Sequence, residues 1–202
     1  MPRIARPEEA AQMRTRLMRA AYAAIAERGF AAVTLQDVAT RAGVSKALVL
    51  YYFTDKEQLL AAVMERTDQV IRSRAERAMR EAAAAGPLAQ LDAYLDALTI
   101  GAREHRDFYR VFLDFMSAGL RSPAIGKSTR SFHEGCAELE RETIQRGIAA
   151  GIFRRDLIPA EASTVVRALI DGLSIQWLLR GDEPFDQLRR RMREAVLAYL
   201  GA

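Results

Sequence analysis

Apolar residues recur along the chain at intervals of three and four, which is the period of an amphipathic helix. In the first segment, one such stripe runs through Met13, Leu17, Ala21, Ala24 and Ile25. No stretch alternates apolar and polar residues in the way that a half-buried strand does. The pattern therefore predicts an all-α protein.

Glycine and proline fall between the periodic segments, where they end one helix and begin the next. This punctuation predicts about nine helices. They cover about 8–28, 35–42, 45–52, 55–85, 87–103, 106–118, 127–150, 160–180 and 185–200. We expect residues 1–54 to form a three-helix domain and residues 55–202 to form a helical bundle, with the fourth helix, 55–85, linking the two.

The second and third helices are short and separated by one tight turn, which is the spacing of a helix-turn-helix. The packing positions between them carry residues of suitable size: Val38, Ala39, Gly43, Val44 and Val49. Gly43 suits a left-handed turn that a residue with a side chain resists. Thr34 and Ser45 are typical N-cap residues, and Asp37 stands where a capping-box partner belongs. An ordinary helical hairpin in a core is the alternative interpretation.

The second helix of such a motif normally enters the major groove of DNA. The candidate DNA contacts are Thr34, Gln36, Ser45, Lys46, Ala47, Leu48, Leu50, Tyr51, Tyr52 and Lys56. Lys46 can reach a guanine edge or a phosphate, and Ala47 and Leu48 can contact thymine methyl groups. The polar residues that begin the preceding helix suit phosphate, and the tyrosines and the lysine past the motif can clamp the DNA backbone.

The net charge of +4 is concentrated at the start of the chain. Residues 1–56 hold nine basic and five acidic residues, whereas the two signs balance in the remainder. A positive first quarter favours a polyanion such as double-stranded DNA, although an excess of this size also arises by chance. Arg3 and Arg6 form an arm that reaches an adjacent groove in one interpretation and a frayed terminus in the other.

The motif and its surroundings resemble the TetR family of bacterial transcriptional regulators. The resemblance covers about residues 12–64 and rests on Ala20-Ala21, Gly29-Phe30, Thr34, Val38-Ala39, Ala42-Gly43-Val44-Ser45, Tyr52-Phe53, Lys56-Glu57 and Leu59. It implies a ligand-responsive repressor that binds a palindromic operator. The family often has glycine at Ala47, tyrosine at Leu50 and histidine at Tyr51, so a family operator sequence does not transfer to this chain.

A second, weaker resemblance lies near the C-terminus. The segments Asp171-Gly172-Leu173 and Gln176-Trp177-Leu178-Leu179 are similar to a subgroup of the family that includes regulators of betaine synthesis. The family resemblance also implies a homodimer, in which the last two helices of each chain pack as a four-helix bundle. The candidate interface residues are Val165, Leu169, Gly172, Leu173, Gln176, Leu188, Met192 and Val196. Packing of these stripes within one chain is the alternative, because every helix buries one face.

An aromatic-rich stretch in the sixth helix indicates a small-molecule site in the helical body. The candidate ligand residues are Thr99, Arg103, Phe108, Tyr109, Phe112, Phe115, Met116, Phe132, Cys136 and Trp177. Plain hydrophobic core is the alternative for each of them. The resemblance implies that a bound ligand shifts the fourth helix and changes the spacing of the two DNA-reading helices.

The sequence has no HExxH, CxxC, P-loop or GxSxG motif, so we expect no catalytic residue, cofactor or metal site. His133 and Cys136 have the spacing of a metal-binding pair, but a pair alone is a weak signal. The absence of a signal-peptide core and of a long apolar run, with a single cysteine, favours a cytoplasmic location. The remaining alternatives are a ligand-independent architectural DNA-binding protein of the same fold and a small helical enzyme.

Overall fold

A computed structural model describes residues 7–99 and 101–202. Within these residues the chain forms nine α-helices, one 3₁₀ turn and no β-strand, which confirms the all-α prediction. The helices are α1 (Pro7–Arg28), α2 (Leu35–Ala42), α3 (Lys46–Tyr52), α4 (Lys56–Glu81), α5 (Pro87–Leu98), α6 (Ala102–Gly119), α7 (Pro123–Ala149), α8 (Pro159–Arg180) and α9 (Phe185–Leu200). The predicted arm residues Arg3 and Arg6 lie outside the described range.

The helix boundaries agree with the predicted ones at both ends of the chain and differ in the middle. α4 ends at Glu81, and a separate 3₁₀ turn, Ala83–Ala85, precedes Gly86. α5 ends at Leu98, and α6 begins at Ala102. The low helix propensity of Gly101, directly before α6, favours this earlier helix boundary. α7 begins at Pro123, because proline is well accommodated in the first turn of a helix. No helix in the described part of the chain is long and apolar enough to cross a membrane.

The chain packs as two compact units. The first unit contains residues 7–67 and 110–129, and the second contains residues 68–109 and 130–202. The division falls within α4, α6 and α7, so each of these helices contributes residues to both units. The boundary that the sequence predicts after residue 54 stays a prediction.

The core of the first unit forms where α1 packs on α2 and α2 packs on α3. The three helices bury Leu17, Ala21, Ile25, Val38, Ala39 and Val49, none of them more than 3% exposed. Small residues at Ala21 and Ala39 allow the helix backbones to approach closely. The stripe predicted on α1 and the packing of α2 and α3 are therefore present in the structure.

The core of the second unit lies among α5, α8 and α9. α9 contributes Leu188, Met192, Val196 and Leu200, all at most 1% exposed. Because the chain itself covers this stripe, Leu188, Met192 and Val196 have no surface left for a second chain. This corrects the expectation that these three residues form a dimer interface.

The turn between α2 and α3 requires a residue that tolerates a left-handed backbone. Gly43 has φ +64°, and an alanine Cβ there would lie 3.2 Å from a guanidinium nitrogen of Arg16. Gly43→Ala should lower the free energy of unfolding by about 1–2 kcal/mol, because a side chain disfavours the left-handed region. Urea unfolding of the whole chain measures the change.

Gly43→Asn is the matched control, because asparagine shares the contact with Arg16 but tolerates a positive φ. It should lose less stability than Gly43→Ala. Equal losses for the two variants would show that backbone strain is not the reason for the glycine.

Candidate nucleic-acid interface

The start of α2 is held by a capping box between Thr34 and Asp37. The Asp37 backbone N–H donates to Thr34 Oγ1 at 3.2 Å, and the Thr34 backbone N–H donates to Asp37 Oδ2 at 2.8 Å. The Thr34 hydroxyl donates to the same carboxylate oxygen at 2.6 Å, and Arg28 lies 2.9 Å from Asp37 Oδ1. These hydrogen bonds hold the pKa of Asp37 well below its usual value. The bond from the Thr34 side chain has the largest effect, and the bond from Arg28 has the next largest. The predicted cap is confirmed.

The capping box gives Thr34 a structural role besides the expected contact with phosphate. A hydroxyl group has one proton to donate, and Thr34 already donates it to Asp37. A phosphate at this point would also meet the carboxylate of Asp37. Thr34 therefore caps α2, and its contact with phosphate stays a prediction, as does that of Gln36, which is exposed in the first turn of α2.

The turn from α2 into α3 is closed by local backbone hydrogen bonds. Gly43 adopts the left-handed conformation that the sequence predicts, and Val44 N–H donates to the carbonyl of Ala39 at 3.0 Å. Ser45 then caps α3, because its Oγ accepts from the Leu48 N–H at 3.2 Å. The turn thus fixes the direction in which α3 leaves it.

α3 presents one face to the core and the other to solvent. Val49 is fully buried, while Lys46, Ala47, Leu50 and Tyr51 are exposed, Tyr51 at 79%. Half-buried side chains, Leu48 and Tyr52, flank the buried position, and the rings of Tyr51 and Tyr52 meet edge to face at 5.2 Å between centroids. In the first unit, α3 is thus open to a partner along the side opposite Val49.

Lys56 is engaged within the chain. Its Nζ donates to the carbonyl of Ala31 at 3.2 Å and lies 4.3 Å from the centre of the Phe30 ring. Partial burial lowers the pKa of Lys56. These contacts hold the start of α4 against the connection between α1 and α2, and a contact of Lys56 with the DNA backbone stays a prediction.

Two arginines of α1, which the sequence alone does not place near the motif, lie against it. Arg14 donates to the carbonyl of Tyr52 at 3.4 Å and lies 4.6 Å from the centre of the Phe53 ring. Arg16 is exposed and lies beside Gly43. The sequence shows that these residues are charged, but only the three-helix packing brings them next to α3.

Asp114 of α6 is a further residue that the sequence did not single out. Its Oδ2 accepts from the Phe30 N–H at 2.6 Å, across 84 positions of the chain. Phe30 follows the last residues of α1, so this carboxylate satisfies one backbone group of the connection between α1 and α2. Ser122 makes a similar long-range contact, because its hydroxyl donates to Glu57 Oε2 at 2.8 Å.

The second unit contains a buried polar cluster that joins four helices. Arg167 of α8 contacts Glu140 of α7 and the hydroxyl of Tyr94 of α5, and Tyr94 donates to Glu140 Oε1 at 2.7 Å. Tyr109 of α6 donates to Asp171 Oδ1 at 2.8 Å, and a guanidinium nitrogen of Arg167 lies 3.7 Å from the same oxygen. Burial raises the pKa of Glu140. We refer to these five residues as the polar cluster.

The cluster leaves two buried polar atoms unsatisfied by the described residues. Glu140 Oε2 and Arg167 Nε have no hydrogen-bond partner, although the Glu140 side chain is fully buried and that of Arg167 is 11% exposed. A buried polar atom without a partner is unfavourable, so these two atoms raise the free-energy cost of burying the cluster.

The structure distributes the predicted ligand residues unevenly. Thr99, Tyr109, Phe132, Cys136 and Trp177 are buried in the second unit, where Phe108 is half-buried. Phe112, Phe115 and Met116 belong to the first unit. Arg103 does not face the core, because its side chain is 88% exposed and pairs loosely with Asp107 at 3.8 Å. We therefore remove Arg103 from the ligand residues.

His105 lies among the aromatic rings of the second unit. Its Nε2 is 3.1 Å from Ser174 Oγ, and its ring centroid lies within 5.7 Å of those of Tyr109, Trp177 and Phe185. Burial lowers the pKa of His105 to about 4 and raises the pKa of Cys136 to about 11. Across residues 7–99 and 101–202, no three His, Cys, Asp or Glu side chains are grouped as metal ligands would be.

Two protein families match most of the chain. Residues 17–63 match the bacterial regulatory proteins of the tetR family, and residues 87–201 match the C-terminal domain of BetI-type transcriptional repressors. The HTH-type transcriptional regulator BetI of Stenotrophomonas maltophilia is 32% identical over 193 residues, which are 92% of this chain and 91% of the relative. The BetI regulator of Cronobacter sakazakii is 29% identical over 178 residues, 86% of this chain and 82% of the relative.

Solved structures have the same fold. A transcriptional regulator from Pseudomonas aeruginosa PAO1 gives a TM-score of 0.80 at 21% identity, covering 98% of this chain and 91% of the other. A transcriptional regulator from Saccharomonospora viridis in complex with choline gives 0.80 at 26% identity, covering 91% and 95%. A helix-turn-helix whose second helix, here α3, has an exposed face defines, in this fold, the class of DNA-binding transcriptional regulators. The chain belongs to the TetR family, whose matched members here are regulators and not enzymes, and its C-terminal part is of the BetI type.

The hydrogen bond from the Phe30 amide to the Asp114 carboxylate should stabilise the first unit. Asp114→Ala removes the acceptor for the Phe30 N–H, and hydrogen bonds to a charged group are worth about 1.5–3 kcal/mol. We expect a lower urea midpoint and faster hydrogen exchange of the Phe30 amide. Asp182→Ala, at an exposed carboxylate before α9, is the control and should change neither quantity. Unchanged exchange at Phe30 in Asp114→Ala would rule out this role.

Proposed function

We propose that this regulator binds a near-palindromic DNA operator as a homodimer, acts as a repressor in the bacterial cytoplasm, and responds to a small organic cation. The observation that carries the proposal is the exposed face of α3, on which Lys46 and Tyr51 stand clear of the core. A helix of this kind fits the major groove, and two copies related by a two-fold axis would read two half-sites about one helical turn, 34–36 Å, apart.

The proposed dimer surface is a stripe on α8. Val165, Leu169, Gly172, Gln176 and Leu179 follow one another at intervals of four and three residues, which is the spacing of a coiled-coil seam. The chain leaves them half-buried or exposed, Leu179 at 78%. A Cβ at Gly172 would meet no atom within 4 Å, so its glycine has no packing reason inside the chain. Leu169 and Leu173 also pack against the core, which makes both of them weaker interface residues.

The proposed effector site is the polar cluster of the second unit. Two carboxylates, Glu140 and Asp171, face a single guanidinium, so the cluster favours a further positive charge. The tyrosines of the cluster and the nearby rings supply the aromatic faces that attract an organic cation. The Saccharomonospora viridis regulator in complex with choline supports this chemical class, and choline is therefore the first probe.

The DNA-binding proposal is tested with Lys46→Ala. We expect at least about a tenfold loss of affinity for the protein's own upstream DNA, with a smaller dependence on salt, because one cation per chain no longer contacts the DNA. Lys127→Ala is the matched control, since Lys127 is also exposed and lies in the first unit, on α7. Gel-shift titrations over a salt series measure both variants. A Lys46→Ala protein that binds as tightly as Lys127→Ala would contradict the role of α3.

The dimer is tested with Val165→Asp. A charge placed in the α8 stripe should weaken the dimer at least about a hundredfold, because an interface would bury the carboxylate without a partner. Val70→Asp, at an exposed valine of α4, is the control and should leave the dimer intact. Sedimentation velocity distinguishes the two outcomes, and a dimer of unchanged affinity in Val165→Asp would place the interface elsewhere.

The effector is tested by thermal unfolding with choline. Choline at about 100 times its Kd should stabilise the protein by about 2.7 kcal/mol, and Glu140→Gln should lose this effect while keeping the shape of the side chain. Glu142→Gln, an exposed position on the same helix, should respond as the wild type does. If choline shifts neither the melting temperature nor the DNA affinity, the ligand-independent architectural protein becomes the better assignment.

A further inference from the structure

The outward face of α3 is apolar at its centre. Successive helical residues are about 100° apart, so Leu50 and Ala47 lie side by side, with Lys46 at one edge and Tyr51 at the other. Leu50 is 43% exposed. An exposed leucine alone is ordinary, but this one occupies the middle of the surface that is proposed to face the base pairs.

Apart from Lys46, the hydrogen-bonding residues that usually read bases are missing from this helix. α3 contains no Arg, Asn, Gln, Asp or Glu, which are the side chains that bond to base edges, several of them with two hydrogen bonds. Lys46 donates as a point charge, and Tyr51 offers one hydroxyl group. Gln36 belongs to α2, where its amide lies 3.4 Å from the Thr40 hydroxyl. Apart from a contact of Lys46 with guanine, discrimination by α3 therefore depends on shape and apolar contact.

We propose that Leu50, with Ala47 beside it, reads the C5-methyl groups of thymines in the major groove. Each half-site would then carry thymine at the positions that face the centre of α3. The C5-methyl group is the apolar feature that a base pair displays in this groove. The inference rests on the proposed DNA-binding role of α3. It adds that thymine is the base that the centre of this helix recognises.

The cations next to α3 fit a division of labour between affinity and specificity. Arg16 beside the turn and Lys46 at the edge of the face suit phosphates, which provide affinity for any sequence. The apolar centre then carries the discrimination. The structure also changes which leucine is in position, because Leu48, expected to contact thymine, is half-buried and Leu50 is more exposed.

The test removes the methyl groups and nothing else. The full-length protein selects its preferred duplex from a randomised library, and that duplex is made once with thymine and once with deoxyuridine, which keeps every hydrogen-bonding group. Each buried methyl group contributes about fourfold in affinity, so one methyl group in each half-site should give about fifteenfold weaker binding of the deoxyuridine duplex.

Leu50→Ala assigns the effect to its residue. This variant should bind the two duplexes with nearly equal affinity, whereas Leu120→Ala, the same change at an exposed leucine after α6, should keep the full difference. A Leu50→Ala protein with the full difference between thymine and deoxyuridine would overturn the inference.

Two other outcomes separate this inference from the proposed function. Specific binding to a selected duplex without thymine at the α3 positions, or equal affinity of the wild type for both duplexes, overturns only the methyl readout. Failure to select any sequence from the library overturns the DNA-binding proposal itself, and the inference with it.

Discussion

The tight turn at Gly43 between α2 and α3 is the constraint on which the proposed DNA-binding surface depends. α3 has only seven residues, too few to be stable as an isolated helix. It persists because Ser45 caps it and because Val49 is buried. Burying Val49 leaves Lys46, Ala47, Leu50 and Tyr51 on the opposite side. The exposed surface therefore exists only because the buried one is fixed.

Net charge alone is a poor guide to the proposed DNA-binding surface of this protein. Arg28 pairs with Asp37, Arg41 pairs with Glu27, and Lys56 is bound to the carbonyl of Ala31. These cations make contacts within the motif, and pairing or partial burial reduces the charge that they offer to DNA. Exposed cations such as Lys46 and Arg16, placed beside the recognition face, are better suited to phosphate contacts.

The polar cluster of the second unit raises a different problem, which is the stability of buried charges. Replacing such a group with well-packed apolar residues is often neutral or stabilising, so ion pairing alone is a weak reason for the cluster. Glu140 Oε2 and Arg167 Nε, which lack partners among the described residues, add to the cost of burial. A response to a polar ligand would explain why the chain keeps charges where an apolar core would serve.

The sequence by itself determined the all-α class, the helix-turn-helix, both of its caps and the left-handed turn at Gly43. These features depend on contacts between residues a few positions apart, so their signals are local. Only the tertiary structure decided that Asp114 bonds to Phe30, that Arg103 is exposed, and that the chain covers the apolar stripe of α9. The helical period shows that one face of α9 is buried, but which surface covers that face depends on long-range packing.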